Sequence, residues 1–166
     1  MASKKGIVVT IIILAAITGA SFLVNEIIPQ DSETTFVISN YADYLDGVKN
    51  IQEVLQESIS IEYQNLRKGE ISPEDYITIT EVTSSQVTTQ ISEFVTSKPS
   101  EEWQDSYINY MEAMKKFNSY IVETKVLANM IENGSTETEM IETVQEIETL
   151  KAESLEYVKI SDESRP

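Results

Sequence analysis

The chain has 166 residues, 41% hydrophobic and 24% charged, with 28 Asp plus Glu against 12 Lys plus Arg and a net charge of -16. That apolar fraction supports a folded domain, and the excess of carboxylates repels nucleic-acid phosphates, which argues against nucleic-acid binding. Cysteine and histidine are both absent, which removes disulfides, thiolate metal sites, a cysteine nucleophile, the commonest general base and the commonest transition-metal ligand.

The first element is "SKKGIVVTIIILAAITGASFLV", residues 3–24, whose nineteen residues from Gly6 to Val24 carry no charge. As a helix they would rise about 28 Å, close to the roughly 30 Å of a bilayer's hydrocarbon core. Eleven of them are Ile, Val, Leu or Phe, which favours insertion by about 3 to 6 kcal/mol. Lys4 and Lys5 precede the stretch, whereas Glu26, Asp31 and Glu33 follow it, so the positive-inside rule leaves the N-terminus in the cytoplasm. The expected organisation is a cytoplasmic N-terminus at residues 1–5, a transmembrane signal anchor at 6–28 and a linker at 29–38. An extracytoplasmic helical bundle at 39–158 and a flexible tail at 159–166 complete it. Two rival readings remain open: a cleavable signal peptide cut near Ala20 in "ITGAS", and a prepilin-like leader cut after Gly6.

Beyond the linker, glycine and proline are scarce, which points to a few long helices. Ser39 or Asn40 caps a helix running to about Lys68, with Leu45, Val48, Ile51, Leu55, Ile59 and Leu66 at helical spacing. "ISPEDY" starts the next: Ser72 caps it, Pro73 suits its first position, and Glu74 and Asp75 face its N-terminal dipole. Its body is rich in Ser and Thr, and "YITITEV" alone alternates like a strand. The later spacing of Val87, Ile91 and Phe94 predicts helix as far as the break at Ser97 to Pro99. The third helix follows a heptad line through Trp103, Tyr107, Tyr110, Met114, Phe117, Ile121, Thr124, Ala128 and Ile131. "ENGS" closes it, and Ser135 or Thr136 opens a fourth helix, with Ile141, Val144, Ile147, Leu150, Leu155 and Val158 directed at a core. Together these elements predict an all-α fold, an antiparallel three- to four-helix bundle behind one membrane helix.

The aromatic residues Trp103, Tyr107, Tyr110 and Tyr120 are the candidate ligand or partner surface, since a tyrosine between helices offers apolar area and a polar tip. Core packing accounts for the same spacing. Glutamates along the last helix, such as Glu142 and Glu146, read as a solvated face. Asn133, in "NGS", matches an N-glycosylation acceptor. No catalytic motif, cofactor site or metal site is legible.

The stretches "SKKGIVVT", "ITGASFL", "LDGVKNI", "GEISPEDYI" and "SEEWQDSYINYMEAMKKFNSYIVETKVLANMI" resemble small single-pass membrane proteins of unknown function from ammonia-oxidising archaea. The resemblance implies an archaeal cell-surface setting and a helical ectodomain, and it carries over no site residues. The functional expectation is a single-pass protein of the cytoplasmic membrane whose outer bundle acts as an interaction or scaffold module. It would work through a protein partner or self-association, without catalysis or cofactor. A sensor or solute-binding bundle acting with a partner is the alternative.

Overall fold

Four capped helices account for most of the described chain, residues 40–166 of the computed structural model. They are α1 (Tyr41–Arg67), α2 (Pro73–Val95), α3 (Gln104–Glu132) and α4 (Glu137–Glu163), with a 3-10 turn at Glu101–Trp103 leading into α3. These residues belong to a compact unit spanning Ile38–Pro166; the other unit, Met1–Val37, lies outside the described residues. So do the expected cytoplasmic N-terminus at 1–5, the signal anchor at 6–28 and the whole of the linker at 29–38. Among the described residues no helix is long and apolar enough to cross a membrane.

Local chemistry sets the helix ends. The Asn40 side chain accepts from the backbone N–H groups of Ala42 and Asp43, and Ser72 accepts from that of Asp75. Thr136 and Glu139 form a reciprocal capping box, with the Thr136 backbone donating to the Glu139 carboxylate at 2.7 Å. Thr136→Ala is therefore expected to lower stability by about 1 kcal/mol, checked by thermal unfolding against the parent chain. Gly69 and Gly134 take φ of 70° and 74°, and beyond each the next amide reaches back across the turn, Glu70 to the Asn65 carbonyl and Ser135 to that of Met130. Each closes a helix in the left-handed conformation that an L side chain resists.

The alternating stretch in α2 is helical: Tyr76, Thr80, Thr83 and Val87 are buried at steps of four and three, and the hydroxyls along the helix bond within it. Thr78, Thr83, Thr88 and Thr89 each donate to the carbonyl four residues back. The side chains that weaken helix propensity thus find partners without leaving the helix.

Helix α3 is the hub and packs directly on each of the other three. Successive helices run antiparallel. Ser84 bonds Asn118 and Lys125 pairs with Glu81 between α2 and α3, while Lys116 pairs with Glu153 between α3 and α4. Small residues let α3 and α4 approach closely. Ser106 and Ser161 share a hydrogen bond at 3.2 Å, and the Ser154 hydroxyl donates to the Ala113 carbonyl at 3.0 Å, with all four residues buried.

Three expectations are corrected. The last helix does not end near Val158: it continues to Glu163, with Ser161 fully buried. What was expected to be a flexible tail is instead tied to α1, since Lys49 pairs with Asp162 at 2.6 Å and Arg165 bonds Asp46. Finally, Ile51, Ile141 and Leu155 were expected in the core, but their side chains stand at the surface. Helical spacing locates a face only to within a turn, and the neighbouring helices decide which part of it is covered.

Candidate functional site

The heptad line of α3 turns its aromatic residues inward, where α1 and α2 separate them into two layers. In the first, the Tyr107 ring stacks on Phe94 with centroids 4.7 Å apart, and Trp103 and Tyr41 meet Tyr107 edge-on at 6.2 and 6.0 Å. Tyr44 stacks beside Phe94 and Tyr107, and Tyr110 contacts Phe94 edge-on at 5.6 Å. The Tyr107 hydroxyl donates to the Tyr41 carbonyl at 2.8 Å, and that of Tyr110 donates to Gln52 Oε1, also at 2.8 Å. Tyr120 lies in the second layer with Phe117, Tyr63 and Tyr76. Of the four sequence-selected residues, Trp103, Tyr107 and Tyr110 come together, and Tyr120 does not join them.

Tyr107, Tyr110 and Tyr120 are buried, and Trp103 is half-buried at the end of the bundle. Burial holds the phenols of Tyr76, Tyr107, Tyr110 and Tyr120 well above the ordinary tyrosine range, and the nearby carboxylates of Glu53 and Asp162 add to the effect at Tyr110. At neutral pH these groups are uncharged packing elements, and the hydroxyls of Tyr107 and Tyr110 are hydrogen-bonded as well. They are not poised to act as bases.

Beside Tyr120 lies a cavity of about 40 Å³, lined by Gln56, Ser60, Phe117, Lys151, Ser154 and Leu155. A cavity of that size suits a water molecule, far below the roughly 300 Å³ at which small-molecule sites begin. The larger hollow, about 420 Å³, is an open groove between α2 and α3 lined by Thr80, Ser84, Ser85, Thr88, Val122 and others. Most of its hydroxyls are engaged: Thr80 and Thr88 donate to their own backbone and Ser84 to Asn118.

Asn133 stands exposed in the turn between α3 and α4, its amide donating to the Asn129 carbonyl at 2.8 Å. Glu142 and Glu146 are exposed, and among the described residues no cluster of acidic side chains could hold a metal ion. Glu146 does act across to α3, where burial and then its charge push the Glu123 carboxyl above its usual range.

Gln52 was not among the residues expected in the core, because a polar side chain does not register in an apolar pattern. It is 2% exposed, and its Nε2 has no partner, although its Oε1 accepts from Tyr110. The only available signal was its place among Leu45, Leu55 and Ile59 on the inward face of α1. In comparisons with known protein families, curated proteins and solved structures, the chain matches none.

Proposed function

We propose that the chain is a membrane-anchored interaction module. The apolar segment at 6–28 holds it in the cytoplasmic membrane with the N-terminus inside, and the acidic bundle works outside through contacts with other proteins rather than by catalysis. The observation that carries this reading is where apolar area remains available. The aromatic interior is packed closed around Tyr107 and Tyr110, while Ile51, Val54 and Ile61 on α1 and Val82 on α2 remain at the surface. Their side chains suit a partner's surface better than a dissolved small molecule. The 40 Å³ cavity beside Tyr120 gives little support to a solute-binding function.

Chemical crosslinking of the full chain in native membranes tests this reading. The expected result is an adduct containing a second protein, with the chain remaining in the pellet after an alkaline carbonate wash. Recovery of monomer alone, or release by carbonate, overturns it.

A further inference from the structure

We propose that the face formed by α1 and α2 docks an amphipathic helix with an apolar ridge and basic ends. This inference rests on the reading that the bundle acts through protein contacts.

The face is built from two helices in known register. Tyr44 stacks on Phe94 at one end of the pair and Tyr63 meets Tyr76 at the other, which sets the middle of α1 antiparallel to the middle of α2. Tyr44, Ile51 and Ser58 recur every seven residues and so share the side of α1 that reaches α2. Val54 and Ile61 lie beside that line, farther from the core. Ile51, Val54 and Ile61 are 38%, 43% and 51% exposed, and on the facing helix Val82 is 40% exposed. Gln86 and Gln90 lie two turns and one turn before Phe94, and each has a carbonyl oxygen closed off from solvent without a partner. Apolar area and two part-buried glutamines therefore line the same seam.

Charge selects the occupant. The strip formed by Ile51, Val54, Ser58, Ile61, Val82 and Gln86 has a single carboxylate beside it on α1, the exposed Glu57 between Val54 and Ile61, in a chain of net charge -16. Carboxylates frame it. Asp43 lies eleven residues, three turns, before Val54, and Glu93 lies seven after Gln86, placing both at one end. Asp75, seven residues before Val82, marks the other end. A second copy lying antiparallel across this face would bring Asp43 and Glu93 against its Asp75, acid on acid. A helix with lysine or arginine at both ends meets complementary charge there. The strip from Ile51 to Ile61 is about 15 Å long, enough for three turns of a partner with anchors at i, i+3 or i+4, and i+7.

Because the chain contains no cysteine, a single Val54→Cys places a photo-crosslinker on this face, and Ser119→Cys, on the exposed side of α3, serves as the control. Both are used in the full chain in native membranes, with the crosslinked peptide sequenced. The proposal expects an adduct from position 54 and none from 119, joined to an amphipathic segment with Lys or Arg at both ends. Adding Ile61→Glu should reduce its yield by about tenfold or more, the loss of one interfacial anchor. Adding Glu93→Lys should lower the yield and flatten its salt dependence. An adduct from 119 alone, or from 54 to a segment without basic ends, overturns the docking face and leaves the protein-contact reading standing. An adduct from 54 to a second copy, or to residues 1–39 of the same chain, overturns it in favour of that occupant. Adducts from neither position overturn the docking face, and together with monomer alone in the general crosslinking they overturn both readings.

Discussion

Tyr107→Ala is expected to lower the stability of the bundle by about 3 to 5 kcal/mol, the range for deleting a large buried aromatic side chain. Tyr107 supplies the ring on which Phe94 stacks, the surface that Tyr41 and Trp103 meet edge-on, and the hydroxyl bonded to the Tyr41 carbonyl. Its removal leaves a cavity touching three helices, and no neighbouring side chain can close it without giving up its own packing. Tyr107→Phe retains the ring and loses only the hydrogen bond, with an expected cost of about 1 kcal/mol. Urea unfolding of the two variants, followed by circular dichroism, separates ring packing from the polar tip. If the alanine variant unfolds within about 1 kcal/mol of the parent, the end layer contributes little to the bundle, contrary to its geometry.

Alkaline titration should produce the other large effect. Burial raises the phenols of Tyr76 and Tyr110, so the folded chain keeps their protons at pH values where the unfolded chain, with tyrosines near pKa 10, has lost them. The stability these groups contribute is fully present below about pH 10 and is lost as pH rises above it. Each of the two then removes about 1.4 kcal/mol per pH unit, so near pH 12 the combined loss is about 5 kcal/mol. Domains of ordinary stability hold about 5 to 15 kcal/mol in total. Tyr107 and Tyr120 shift in the same direction and steepen the fall. The expected observation is phenolate absorbance appearing together with loss of helical circular dichroism, in one cooperative transition between about pH 11 and 12. Ionisation of the buried tyrosines with helicity intact would contradict it. No comparable acid transition is expected from phenols, because below pH 10 both states keep these protons.

Both effects arise in the interior, whereas the proposed partner contact lies at the surface. The interior explains why the chain folds despite its charge: two aromatic layers and the close α3–α4 packing hold the bundle, while the paired ions lie at the periphery. Exposed pairs such as Lys125 with Glu81 add at most about 1 kcal/mol each and weaken with salt. The function proposed here needs the opposite property, apolar area left over after the core is closed.

The elements readable from residues alone are those governed by neighbours a few positions away. Asn40, Ser72 with Pro73, Gly69, Gly134 and Thr136 each act on amides or carbonyls within five residues, so the helix starts and stops they govern were legible without a fold. The heptad line of α3 was legible for the same reason, and its members from Tyr107 to Ala128 are all buried. Tertiary packing alone decided which residues share a layer. Tyr107 and Tyr120 lie on the same helix, but about 20 Å apart along its axis and on different sides of it, so each takes its companions from whichever part of α1 and α2 passes at its height. It also decided that Gln52, Ser154 and Ser161 are buried while Ile51, Ile141 and Leu155 are not, since closeness of approach belongs to a pair of helices and to neither sequence separately. The end of α4 shows the same division. Asp162 and Arg165 find Lys49 and Asp46 more than a hundred residues away in the chain, and no local pattern could have announced that meeting.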